Sequence, residues 1–370
     1  MSTQPLSSLP LAYCTDSAGM HPAHTLPLKL QSIAGAGFPL VELAFPDLEA
    51  YAASQHPGYH KLDNAGRGDL HTLVQVARDV RGMCDGLRVK VFAVHPFSQF
   101  EGFKDPQKQE EGMLRARAWF KVLSALGCDM LQVGSSNAPA DDISDSYDDM
   151  ARDLRALADE AATQDPPIRI AYELWAWGTY VNTWEHTWEV CKRVDRPNFG
   201  LCLDTFQICA RAFADPTAPH GLLPAPTQTL SASLSRLART LPPSSIFYLQ
   251  ISDASGPQNP LFSPHQLAKD AKAQGVDARY AWSNQWRPAP WMDECVERGG
   301  WGASSFGGYL PVVDVISAVA RTGWRGVCSY EVFYEPDMRK PDGEVPRRWA
   351  NAAQESHKRT LSELASRGVV

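Results

Sequence analysis

"AYELWAWGTYVNTWEHTWEVCKRVDRPNFGLCLDTF", residues 171–206, begins and ends in short apolar runs and is amphipathic between them. The runs "IRIAYELW" (168–175) and "FGLCLDTF" (199–206) have the length of buried strands. In 182–194 Trp184, Trp188 and Cys191 fall on one face at helical spacing. Asn182 stands where it can cap that helix, with Glu185 three residues on to reach back to it. Strand, helix and strand in succession imply parallel pairing through a right-handed crossover.

The same alternation runs along the whole chain. "LAYCTDS", "PLVELAF", "RVKVFAVHPF", "DMLQVGSS", "IRIAYELW", "FGLCLDTF", "IFYLQIS" and "GVCSYEVF" make eight strand candidates. Helical patterns near 25–36, 68–84, 107–126, 147–164, 182–194, 228–240, 311–322 and 345–366 follow them in turn. Eight such units close into a (β/α)8 TIM barrel, an α/β fold that residues 1–370 fill as one domain. A doubly wound open sheet usually has a glycine-rich phosphate turn after its first strand, and "YCTDSAGMHPAH" (13–24) holds none. Two segments break the rhythm: 45–67 reads as a polar loop, and 253–308, rich in Pro, Gly and Trp, reads as a lid-like insertion on the catalytic face.

Composition narrows the class. With 44% hydrophobic and 21% charged residues the chain has the makings of a full core. A net charge of -7 offers no basic field for a phosphate backbone, which excludes nucleic acid as a partner. The eight cysteines show no CxxC pair, as in a reducing compartment, and no stretch approaches the roughly 18 apolar residues of a membrane span. A soluble cytoplasmic protein is expected, with no membrane partner; a homo-oligomer is compatible with these numbers.

In a barrel the chemistry sits at the carboxyl ends of the strands. Those positions hold Glu173, Asp204, Gln250 and Glu331 on four consecutive strands. Three carboxylates converging on one mouth repel one another unless a cation lies between them, and together with an amide oxygen they suit one divalent ion, Mg²⁺ or Mn²⁺ first, Co²⁺ or Zn²⁺ next. Asp204 alone reads equally as a helix cap, and Gln250 alone as a satisfied buried amide. Glu173 and Glu331 stand inside apolar stretches ("AYELW", "SYEVF"), where no cap is expected. Trp175, two residues past Glu173, shares its face of the strand and is the one tryptophan assigned to substrate; Trp177, Trp282, Trp286 and Trp301 read as packing residues.

The stretch 171–206, with "FYLQISDA", "GGYLPV" and "GWRGVCSYEVF", resembles the 3-dehydroshikimate dehydratases, which lie within the xylose-isomerase-like sugar isomerase and epimerase barrels. Weaker similarity in "HTLPLKLQSIAGAGFPLVELAFPDLE", "FEGF" and "DMLQVGSS" extends it over most of the chain. The resemblance implies a divalent metal on Glu173, Asp204, Gln250 and Glu331. It also implies that "WSNQWR" offers Ser283 and Arg287 to a substrate carboxylate, which an arginine can grip bidentately. Read without the resemblance, Arg287 could equally be a surface residue stacked on an indole. The implied reaction is loss of water from a small polyhydroxylated keto acid through a metal-stabilised enolate.

Two positions depart from the family. Where dehydratases read "LDTFH", this chain reads "LDTFQ", and the amide of Gln207 binds substrate rather than taking up a proton. The third strand ends in His95-Pro96-Phe97-Ser98 instead of Gln-Pro-Phe. Two expectations follow: the base has moved to His95, whose ordinary pKa near ~6.5 suits the task, or Glu173 and Glu331 act as acid and base themselves, as in related ketose epimerases. Endonucleases of the same superfamily need a histidine-rich metal cluster, and His21, His56, His186 and His357 do not gather at strand ends.

Overall fold

The computed structural model describes residues 4–256, 269, 272, 273, 275, 277–292 and 308–369. Eight parallel strands close a barrel in chain order: β1 (Leu11–Cys14), β2 (Leu40–Ala44), β3 (Lys90–Phe97), β4 (Met130–Gly134), β5 (Arg169–Glu173), β6 (Phe199–Asp204), β7 (Ile246–Ile251) and β8 (Val327–Tyr330). Tyr13 pairs with both Val41 and Tyr330, so β1 closes the ring between β2 and β8.

Strand alternation sorts the side chains. Along β5 to β7, Tyr172, Leu201, Leu203, Leu249 and Ile251 point outward into the main core against the helices. Between them Ala12, Ala93, Met130, Ala171, Cys202 and Tyr248 form a separate cluster in the barrel interior. The strands read as continuous apolar runs because both faces are buried. Glu173, Asp204 and Gln250 take the next inward positions, and the register sets Asp204 beside Gln250 and Gln250 beside Ser329.

The helices stand close to their expected places, among them Leu70–Leu87, Pro106–Leu126, Trp184–Val194 and Val345–Ser366. Three details differ from expectation. Residues Phe45–Gln55 of the expected polar loop form a helix: Pro46 sits in its first turn, and Phe45, Leu48 and Ala52 bury one face at helical spacing. The helix after β5 is capped by Thr183, whose hydroxyl accepts from His186 N at 3.2 Å, while Asn182 turns away and donates to Gly178 O at 2.9 Å. The segment 253–308 contains a helix, Ala278–Gln285, and Trp286–Arg287 pairs antiparallel with Phe333–Tyr334. Most of the remaining expected lid, with Trp301 and Cys295, lies outside the described residues.

The seven described cysteines are buried and free. Among the described residues no helix is long and apolar enough to cross a membrane.

Candidate active site

Glu173 and Asp204 end β5 and β6, Gln250 is the penultimate residue of β7, and Glu331 follows β8 directly. All four are buried, Glu331 at 7% exposure being the most open. One carboxylate oxygen each from Glu173, Asp204 and Glu331 lies within 4.8 Å of the other two. The electrostatic consequence is plain. Burial, then the charges of Glu331 and Asp204, hold the Glu173 carboxyl well above its usual range. Burial pushes Asp204 up to about 7 against the pull of Arg287, and Glu331 is likewise raised by burial despite Arg287 and His95.

Among the described residues, Arg287 is the guanidinium that meets this trio. Arg287, 1% exposed and therefore no surface residue, ion-pairs through Nη2 with Asp204 and with Glu331 at 2.7 Å. Its Nε donates to Ser252 Oγ at 2.7 Å and its Nη1 to Ser283 Oγ at 3.3 Å. The guanidinium rests over Phe206, 4.9 Å from the ring centroid. Burial alone would lower its pKa, but Asp204, Glu331 and Glu173 raise it further. One guanidinium offsets at most one of the three carboxylates when all are ionised.

The donors fit a divalent ion. Glu173 Oε2 accepts from Trp175 Nε1 at 3.1 Å and from the Gln132 amide, whereas its buried Oε1 has no hydrogen-bond partner. A bare carboxylate oxygen beside two further carboxylates is costly, and a hard cation relieves that cost. Gln250 donates Nε2 to Glu42 Oε1 at 3.0 Å, and among the described residues its carbonyl oxygen meets the Cys202 thiol at 3.4 Å. Asp204 also caps the helix Thr205–Ala212, its Oδ1 accepting from Phe206 N at 2.8 Å. The cap reading of Asp204 therefore holds at Oδ1, while its Oδ2 meets Arg287 Nη2.

His95 is 1% exposed at the end of β3, with Nδ1 3.6 Å from Glu331 Oε1 and Nε2 3.8 Å from Asp16 Oδ1. Its Nε2 has no hydrogen-bond partner, which is unusual for a histidine held only for structure. Gln207 belongs to the wall: its Oε1 accepts from Ala176 N at 2.8 Å, so only its amide nitrogen is left to meet a ligand. The Trp175 indole lies against Gly134, where a Cβ would come within 2.2 Å of the ring. Ser283, in the Ala278–Gln285 helix, is brought to the mouth by its contact with Arg287.

Sequence reasoning missed Glu42, Gln132, Asp16 and Ser252. Glu42, in "PLVELAF", carries the same signal that singled out Glu173 and Glu331, an acid within an apolar strand. It is fully buried and accepts from Tyr248 Oη at 2.6 Å, Gln250 Nε2 at 3.0 Å, Ser329 Oγ at 2.6 Å and Cys14 Sγ at 3.0 Å.

Fold and site together define a xylose isomerase-like TIM barrel, and the profile of the family so described matches residues 30–360. A 3-dehydroshikimate dehydratase of Neurospora crassa is 31% identical over 360 residues, covering 97% of this chain and 93% of that one. A 3-dehydroshikimate dehydratase of Pseudomonas aeruginosa is 32% identical over 309 residues, 84% of this chain and 36% of that longer protein. The chain belongs to the 3-dehydroshikimate dehydratase family within these barrels. Among solved structures, a xylose isomerase-like TIM barrel/4-hydroxyphenylpyruvate dioxygenase fusion protein superposes with a TM-score of 0.67 at 23% identity, over 98% of this chain and 45% of that one.

Proposed function

We propose that the protein is a divalent-metal-dependent 3-dehydroshikimate dehydratase, a lyase that converts 3-dehydroshikimate to protocatechuate and water. The observation that carries this reading is the buried trio of Glu173, Asp204 and Glu331 with the bare Oε1 of Glu173, in a chain 31% identical to a full-length dehydratase. Glu173, Asp204, Gln250 and Glu331 would hold the ion, Mg²⁺ or Mn²⁺ by the hardness of the donors and Co²⁺ or Zn²⁺ by the tolerance of such sites. When bound, the ion polarises the substrate ketone and stabilises the negative charge that develops on its oxygen.

The chain's own residues do the rest. Arg287 and Ser283, already joined by a 3.3 Å hydrogen bond, present donors to the substrate carboxylate. Trp175 flanks the ring, and the Gln207 amide lies in the wall beyond it. A proton next to the ketone is removed, the hydroxyl on the neighbouring carbon departs as water, and enolisation of the resulting dienone gives the aromatic ring. We assign the proton handling to the pair His95 and Glu331, because His95 Nδ1 is 3.6 Å from Glu331 and its Nε2 lacks a partner. Glu173, tied through Oε2 to Trp175 and Gln132, holds the opposite wall.

A keto-sugar isomerase or epimerase would use the same trio, with Glu173 and Glu331 as acid and base. What weighs against it is the 31% identity to a 3-dehydroshikimate dehydratase over 97% of this chain. The test is incubation with 3-dehydroshikimate in Mg²⁺, Mn²⁺ and Co²⁺ while following protocatechuate absorbance. Steady growth in at least one metal, abolished by EDTA, is expected; a flat trace in all three removes the dehydratase reading.

A further inference from the structure

We propose that Glu42 is a positioning residue that orients the Gln250 side chain so that its carbonyl oxygen, not its nitrogen, faces the cation. This rests on the reading of Gln250 as a metal ligand. The two ends of a glutamine amide have nearly the same shape, yet only the oxygen has a lone pair for a cation, and only a neighbour that discriminates donor from acceptor keeps the amide from turning over. A carboxylate is such a neighbour, because when ionised it only accepts. Glu42 Oε1 takes Gln250 Nε2–H at 3.0 Å, and the carbonyl end is thereby turned away from it.

Glu42 is itself held from several strands. Its Oε1 also accepts from Tyr248 Oη on β7 at 2.6 Å, and its Oε2 accepts from Ser329 Oγ on β8 at 2.6 Å and Cys14 Sγ on β1 at 3.0 Å. With four donors on one carboxylate at 0% exposure, neither rotation nor a competing water is open to it. The inward register places Gln250 next to Asp204, so the amide that Glu42 fixes borders the carboxylate trio. Outer partners of metal ligands typically change affinity by about 10–100-fold when removed.

The experiment titrates the purified full chain with Co²⁺ and records its dissociation constant and visible d–d spectrum. E42M removes the acceptor; binding at least ~10-fold weaker with an altered spectrum is expected. E42Q can keep a carbonyl toward Gln250 and Tyr248 while its amide nitrogen donates to Ser329, so its affinity is expected within about threefold of the parent, a difference of at most ~0.7 kcal/mol. In a Q250A background E42M should cost nothing further, since the residue through which Glu42 acts is gone. A folded E42M that binds Co²⁺ like the parent overturns the proposal, as does an E42M loss that persists undiminished in Q250A. A ~10-fold loss in E42Q overturns it too, by assigning the effect to charge rather than orientation, and this variant decides the matter should E42M not fold. If Q250A alone binds Co²⁺ like the parent, the ligand reading falls and the proposal with it.

Discussion

Two kinds of buried carboxylate share one barrel. Glu42 accepts four hydrogen bonds from neutral groups and leaves no oxygen bare. At the mouth, Glu173, Asp204 and Glu331 crowd within 4.8 Å, receive one guanidinium among them, and leave Glu173 Oε1 without a partner. The difference separates an acid that is part of the scaffold from acids poised for something the described residues do not supply. Burial is common to both; satisfaction is not.

The contrast can be broken most sharply at Glu173. Replacing it with Gln keeps the shape and the Trp175 contact but removes the charge, and turnover of 3-dehydroshikimate at saturating Mn²⁺ should fall by about 10³-fold or more, since the metal supplies several kcal/mol of transition-state stabilisation. A drop of only a few-fold would place Glu173 with Glu42 as scaffold. Next in size is Arg287→Met. Without its guanidinium the buried trio keeps its repulsion uncompensated, and in EDTA the variant should lose ~3–5 kcal/mol of stability by urea unfolding. Added Mn²⁺ should recover much of that loss; an equal deficit with and without Mn²⁺ would mean that Arg287 and the cation do not share the carboxylates.

Asp204 titrates at about 7 because burial and Glu331 outweigh Arg287, so below that pH an incoming cation must displace a proton. Mn²⁺ affinity should therefore strengthen as pH rises through about 7, by up to ~10-fold per pH unit for each proton displaced, with the raised Glu173 and Glu331 adding to the slope. A pH-independent dissociation constant between 5.5 and 7.5 (roughly the window around that pKa) would contradict this. Glu101 serves as a control outside the trio. Its Oε1 accepts from Ser136 N at 2.7 Å and Tyr172 Oη at 2.8 Å, its Oε2 has no partner, and burial raises it to about 7. Its pKa is higher folded than unfolded, so its contribution to stability is full at low pH and is lost as pH rises through about 7. E101Q should remove that part of the decline in melting temperature between pH 5 and 8 (about the span over which such a group ionises) and leave turnover near the parent's. A raised pKa alone would then be shown not to make a site.

Much of this was legible in the residues. The strand and helix alternation needed only hydrophobic period, and the four strand-end residues followed from where a barrel places its chemistry. The failures have local causes. Phe45–Gln55 looked polar because only Phe45, Leu48 and Ala52 of its face are apolar, and its Pro46 reads as loop until it is seen in the first turn. Asn182 lost the cap to Thr183 because the turn at Gly178 takes its amide, a contact set by backbone geometry. Glu42 in "LVELA" carries the same signal as Glu173 in "AYELW", but its donors come from distant strands that no spacing rule reveals. The place of Arg287 among the carboxylates depends on a short pairing of Trp286–Arg287 with Phe333–Tyr334, again a long-range fact.

If a single divalent cation completes the carboxylate trio, its binding must be stoichiometric and must depend on those carboxylates. Stripped of metal and titrated calorimetrically with Mn²⁺, the protein should take up one ion per chain, and a folded Asp204→Asn variant should bind far more weakly. If the parent, with Glu173, Asp204 and Glu331 intact, takes up no Mn²⁺, Mg²⁺, Co²⁺ or Zn²⁺, the account of the site is wrong.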